Sequence, residues 1–216
     1  MFSTVEQAGT TTVSLDQTGS APPAGFSVGN PAQYYDVATT ATFVGEILVC
    51  IRYTDEAFTN TPSIFHFENG VWVDRTVQVN QTDRIVCGSV PSLSPFALFE
   101  RVVYTTAAQP PINADGTSVF SRRGAIPIKV TLSANGTTTC QLPVASLVLV
   151  RVSGESTTVV NESEYLFASD TGSVFRIAGC QYHYTLNAKT LGAGSYRAEV
   201  RIGGSAVGAA VFGLAR

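Results

Sequence analysis

The chain has 216 residues, 44% of them hydrophobic and 13% charged, a composition that excludes a disordered polypeptide. Its net charge of −3 divides unevenly: residues 1–107 hold four arginines and ten acids, and residues 108–216 hold nine basic and six acidic residues. A positive surplus spread over half a chain is no basic stripe, so a nucleic-acid partner is excluded, and no apolar run is long enough to span a bilayer.

In chain order, helical periodicity is nearly absent. Short alternating runs separated by Gly, Asn, Asp and Pro clusters read as strands of sandwich type. The first half offers "TTTVSL", "YYDVATTATF", "EILVCIRY", "SIFHF", "VWVDRT", "DRIVCGSV" and "FALFERV". Between "IFHF" and "VWV", Asn69-Gly70 tolerates the positive φ angles of a type I′ hairpin turn. "TTAAQPPINADG" (105–116) interrupts the pattern, because Pro110-Pro111 cannot donate ladder hydrogen bonds, and a domain boundary is expected there. The second half resumes with "AIPIKVTL", "SLVLVRV", "YLFA", "VFRI", "QYHYTLN", "SYRAEVRI" and "AVGAAVFGLA", the last two joined by Gly203-Gly204. The expected fold is all-β, two tandem immunoglobulin-like β-sandwich domains over 1–107 and 108–216. The opposite charges of the halves reflect unrelated compositions or electrostatic complementarity. Met1 is the only methionine and no secretory signal precedes the first strand. We therefore expect an engineered start or a piece of a longer protein.

Four cysteines fall two per half, with no C-x-x-C pair and no histidine at metal-ligand spacing, so no zinc site is expected. Of the three possible pairings, Cys50–Cys87 and Cys140–Cys180 place one disulfide in each half. Such links belong outside a reducing cytosol.

Lys129, one of only two lysines, sits in an otherwise apolar run. Alternation sends Ile126, Ile128, Val130 and Leu132 to one face and leaves Lys129 with Thr131 on the other. That lysine is therefore expected to face outward rather than serve as a catalytic or cross-linking amine. Pro127 suggests an edge or a strand start. His66 and His183 each alternate with aromatics, which puts them on the opposite, solvent or hydrogen-bonded, face. Asp55 with Glu56, and Glu162 with Glu164, read as solvated loop acids rather than a glycosidase pair. Asn113 and Asp115 carry ligand types suited to calcium, yet they are also the usual turn formers. Trp72, Tyr34 and Tyr35 are the residues that could stack on a sugar or anchor a partner. No cofactor and no metal are expected.

"INADGTSVFSRRGAIPIKVTL" and "QYHYTLNAKTLGAGSYRAEVRIGG" together resemble the PxKF-type domain found at the C-terminal ends of large bacterial surface and secreted proteins, over about residues 110–216. Val130 stands where that family's name expects phenylalanine. The resemblance implies a β-sandwich accessory module without catalytic residues. The first half, through "GTTTVSL", "YYDVATTATFVGEILVCIRY" and "SLSPFAL", is similar to modules that precede such domains. More remotely it resembles the β-sandwich domain of ankyrins and netrin receptors. Some of those self-cleave at His-Phe-Ser; here the stretch reads Ser92-Leu93-Ser94, so no cleavage is expected. The expected function is a non-enzymatic structural or adhesive module of a larger extracellular protein, partnered by that protein's other domains, a surface glycan or another protein. A carbohydrate-binding module is the alternative, and a sandwich-fold hydrolase built on a histidine is the third reading.

Overall fold

The computed structural model describes residues 1–93, 95–154 and 159–215, which form strands joined by turns and loops, with one 3-10 turn at Ala188–Thr190. The chain separates into two compact units, Met1–Val102 and Val103–Arg216. The division comes earlier than the expected 107/108 boundary. Residues 104–109 form a strand that pairs along its length with Lys129–Ala134, so they belong to the second unit.

The first unit contains β1 (Phe2–Gln7), β2 (Thr11–Asp16), β3 (Phe26–Val28), β4 (Tyr34–Thr39), β5 (Thr42–Arg52), β6 (Ser63–Glu68), β7 (Val71–Asp74), β8 (Thr76–Asn80), β9 (Ile85–Val90) and β10 (Phe96–Arg101). One sheet runs β1-β5-β9-β8. The other runs β2-β4-β10-β6-β7, with β3 also paired to β10. Asn69 and Gly70 take φ angles of 50° and 84°, the positive pair that a type I′ turn between β6 and β7 requires. Ile47 and Ile51 of β5 and Val86 and Val90 of β9 pack with Ile64 of β6 and Phe96 and Leu98 of β10, which places the core between the sheets.

That second sheet is apolar on both faces. Phe65, Phe99, Ala97 and Tyr34 form another cluster on its far side, covered by Phe26, Val28, Ala32 and Trp72. Alternate residues of a strand point oppositely. Phe65 therefore faces this second cluster, while Ile64 and His66 turn into the sandwich core.

The second unit contains β11 (Tyr104–Gln109), β12 (Val119–Phe120), β13 (Ala125–Ala134), β14 (Thr137–Thr139), β15 (Ala145–Ser153), β16 (Arg176–Ala178), β17 (Gln181–Asn187), β18 (Gly194–Ile202) and β19 (Ser205–Leu214). Its sheets are β11-β13-β17-β16, with β14 beside β13, and β12-β19-β18-β15. Ile126, Ile128, Val130 and Leu132 are fully buried against Tyr182 of β17 and against Val200 and Phe212 of the opposing sheet. Lys129 and Thr131 lie on the other face, only half-buried. β11 ends at Gln109, opposite Lys129, so at Pro127 the ladder continues only on the β17 side. A residue without an N–H fits at such a local edge.

Gly203 and Gly204 have φ angles of 57° and 84° and close the β18–β19 hairpin. "YLFA" is not a strand. Tyr165 makes one isolated bridge to Ala125, and Leu166 and Phe167 stand exposed. No helix among the described residues is long and apolar enough to cross a membrane.

Candidate functional site

Both disulfides are present, Cys50–Cys87 and Cys140–Cys180. Cys50 and Cys87 stand directly opposite each other on β5 and β9, so this bond lies within one sheet and does not cross between layers. The second joins the end of β14 to the β16–β17 turn, again on a single sheet. Two disulfides point to an oxidising compartment.

The histidines differ. His183 follows the expectation: it lies on the outer face of β17, half-buried, with Nε2 3.1 Å from the Ala178 carbonyl oxygen. His66 does not. Its side chain is 0% exposed, and its ring stacks on Phe96 at 4.7 Å. The reason is the doubly covered sheet: the face away from Phe65 and Phe67 is core, not solvent.

Its Nδ1 lies 2.7 Å from Glu68, which accepts two further bonds from Arg75 at 2.7 and 2.6 Å. Hydrogen bonding to Arg75, then to His66, outweighs partial burial and holds the Glu68 carboxyl down to about 2, against an ordinary 4.5. An ionised carboxylate only accepts, so Nδ1 carries the proton. The arrangement resembles a base with its orienting acid, but the imidazole is sealed from solvent.

The register of the Asn-Gly hairpin sets His66 opposite Val73 and Glu68 opposite Val71, so Arg75, two residues beyond Val73, shares their face. That register was the available sequence signal for this trio. A carboxyl with a lower pKa folded than unfolded stabilises the fold above about pH 4.5. This contribution is lost as the pH falls toward 2. Trp72, the only tryptophan, lies in the first unit. Acid titration followed by its fluorescence should show part of this loss disappear in Glu68→Gln.

The other candidates are spent locally or stand alone. Arg84 Nε donates to Asp55 at 2.6 Å, whereas Glu56 is an exposed neighbour in the same loop. Glu162 accepts from Ser118 Oγ at 2.7 Å, and Glu164 is exposed. Asp115 accepts from the Thr117 backbone at 3.1 Å and from its hydroxyl at 2.7 Å, while Gly116 N–H bonds the Asn113 carbonyl. "NADG" is therefore a turn closed by its own groups. Among the described residues no group of three His, Cys, Asp or Glu is placed to hold a metal ion. Ser92 and Leu93 are described; Ser94 lies outside the described residues. The Lys129 amine makes no hydrogen bond or ion pair with any described residue.

The candidate that gathers the sequence-identified aromatics is a cleft of about 320 Å³ on the outer face of the β2-β4-β10-β6-β7 sheet. Tyr34, Phe67 and Trp72 line it. Trp72 is half-buried, 4.9 Å from Phe67 and edge-on to Phe99 at 5.0 Å between ring centroids. Trp72 Nε1 and Tyr34 Oη both donate to the Ser20 carbonyl, at 3.3 and 3.1 Å, which ties the preceding loop against the rings. Burial pushes the Tyr34 phenol up, so it remains a donor at neutral pH. Asp16 stands opposite Tyr34 in the strand pairing, and Asp36 lies two residues along. Both carboxylates line the cleft without a side-chain partner among the described residues. Tyr35 faces the sandwich interior but reaches the rim. Aromatic faces beside free acceptors can stack a sugar ring and take its hydroxyl protons.

Compared with family models, with curated proteins and with solved structures, the chain finds no match.

Proposed function

We propose that the chain is a non-enzymatic accessory module of a larger secreted or cell-surface protein, acting in spacing, presentation or adhesion. The observation that supports this is the state of His66. The histidine with an acid partner at 2.7 Å has no solvent-exposed surface, and its acid is held by Arg75. Among the described residues, the hydrogen-bond partner of His183 Nε2 is the Ala178 backbone carbonyl. The disulfides favour an extracellular setting over a reducing one, and the likeness of residues 110–216 to PxKF-type domains agrees with an accessory role. Incubation with activated esters, aryl glycosides and peptides should give no turnover above buffer. Turnover that vanishes in His183→Ala would overturn the reading.

A second reading, carbohydrate binding by the first unit, is favoured by the cleft at Trp72. A glycan array should then show bound neutral saccharides. Asp36→Asn and Trp72→Phe should each weaken binding by about tenfold, the worth of one charge-assisted hydrogen bond or one good stacking contact. Unchanged urea midpoints would show that the loss is not unfolding.

A further inference from the structure

A second, differently charged surface lies on the outer face of the β13-β17-β16 layer. Lys129 pairs with His183 in register, and His183 pairs with Arg176, so three basic side chains stand in a row across three adjacent strands. Cross-strand neighbours are roughly 5 Å apart at Cβ, so the Lys129 and Arg176 cations stand on either side of the His183 imidazole.

Its one carboxylate is Asp170. Arg176 Nε bonds it at 3.0 Å, and it also accepts from the Thr185 backbone at 2.7 Å. Lys129 makes no ion pair with any described residue. Over this row lies an open depression of about 640 Å³ whose wall includes Phe167. The same ring lines an adjoining depression of about 190 Å³ that holds Lys189, the chain's other lysine, whose amine makes no ion pair with any described residue. Three permanent cations and one carboxylate, Asp170, line the two depressions, with Glu164 beside Gly124 at the edge of the smaller one, in a chain whose net charge is negative.

Between the cations, Phe167 is 62% exposed, yet it is braced. Its ring sits 5.7 Å from Tyr165. The segment is tied to the sheet at both ends, by Ala125 N–H to the Tyr165 carbonyl at 2.7 Å and by Asp170 N–H to the Thr185 carbonyl at 2.9 Å. An exposed, held aromatic thus lines both depressions, one shared with Lys129 and the other with Lys189, and offers a stacking face near anion partners.

From this geometry we infer that the second unit carries a binding site for an acidic polysaccharide. One sugar ring stacks on Phe167, and carboxylate or sulfate groups of successive sugars reach Lys129 with His183 on one side and Lys189 on the other. The exposed ring favours a saccharide over an acidic peptide, because a pyranose offers a rigid apolar C–H face where a run of Glu or Asp has none. The site is independent of the cleft at Trp72.

The test is calorimetric titration of the whole chain with four probes: an oligouronate, a sulfated glycosaminoglycan oligosaccharide, a neutral oligosaccharide of equal length, and polyglutamate. An acidic sugar should bind, and the neutral one should not. Lys129→Gln and Lys189→Gln should each weaken binding about tenfold, as loss of a charged contact does, and added salt should weaken it further. Phe167→Ala should weaken it without moving the thermal midpoint, since the ring is exposed. The tighter acidic sugar identifies the anion recognised. No binding of either acidic sugar, unchanged binding in both lysine variants, or polyglutamate binding as tight as that of the sugars would each overturn the assignment.

Discussion

Replacing Phe96 with alanine should destabilise the first unit by about 3–5 kcal/mol, the range for deleting a buried aromatic ring. Phe96 is 0% exposed and touches elements of both sheets. On β10 it stands opposite Tyr35 of β4 on one side and His66 of β6 on the other. Its loss opens a cavity beside an imidazole that stacks on it at 4.7 Å. That imidazole then faces a void rather than a ring, which places the cost toward the upper end of the range. Urea unfolding followed by Trp72 fluorescence reads this unit directly, because the chain has no other tryptophan. Phe96→Leu, which keeps most of the volume, should lose clearly less. Val77→Ala, at a well-exposed position, should fall within about 0.5 kcal/mol of the parent. An alanine variant as stable as the leucine one would mean that the sandwich core closes around the gap.

The same residues show where sequence reasoning reaches and where it stops. On β13 the alternation of Ile126, Ile128, Val130 and Leu132 with Lys129 and Thr131 is unambiguous, since only one face is apolar, and the structure follows it. On β6, "SIFHF" alternates just as cleanly and sets His66 opposite its aromatic neighbours, but alternation alone does not say that both faces are covered. Phe65 belongs to the outer cluster, and His66 is enclosed. What decides the matter is Phe26, Val28 and Ala32, which cover the sheet's far side from well upstream in the chain. Such a cover is non-local and leaves no mark in the pattern of β6 itself.

Strand β11, "YTTAAQ", escaped notice for a different reason. Thr and Ala differ too little in hydrophobicity to show a period, and the adjacent prolines suggested a linker. Conversely "YLFA" has a strand's composition but meets the sheet only at Tyr165. The aromatic cleft is partly legible, since Trp72 and Tyr34 stand out as aromatics, whereas Asp16 and Asp36 join them only through the β2–β4 register. The basic row needed the register of three strands at once, which no single segment carries.

Removing either disulfide by paired alanine substitution should cost about 4 kcal/mol, and the two losses should be nearly equal. The links span 37 and 40 residues, and in the chain-entropy account the effect depends on the logarithm of that length, so the difference is negligible. Their surroundings differ far more. Cys87 is only 6% exposed, whereas Cys140 and Cys180 both lie at the surface. Strands β5 and β9 are already hydrogen-bonded neighbours over Ile47–Arg52, so the Cys50–Cys87 bond adds little to what holds them together once folded. Its effect falls on the unfolded chain, which loses freedom when those ends are tied. Against a typical domain stability of about 5–15 kcal/mol, a loss of this size shifts a urea midpoint by about 2 M. Trp72 fluorescence reads the first substitution, and far-UV circular dichroism reads the second. Equal shifts would mean that loop closure sets the stabilisation in both units. A much larger loss for Cys50→Ala/Cys87→Ala would mean instead that the packing of Cys87 in the sheet, rather than the constraint on the open chain, is the larger contribution.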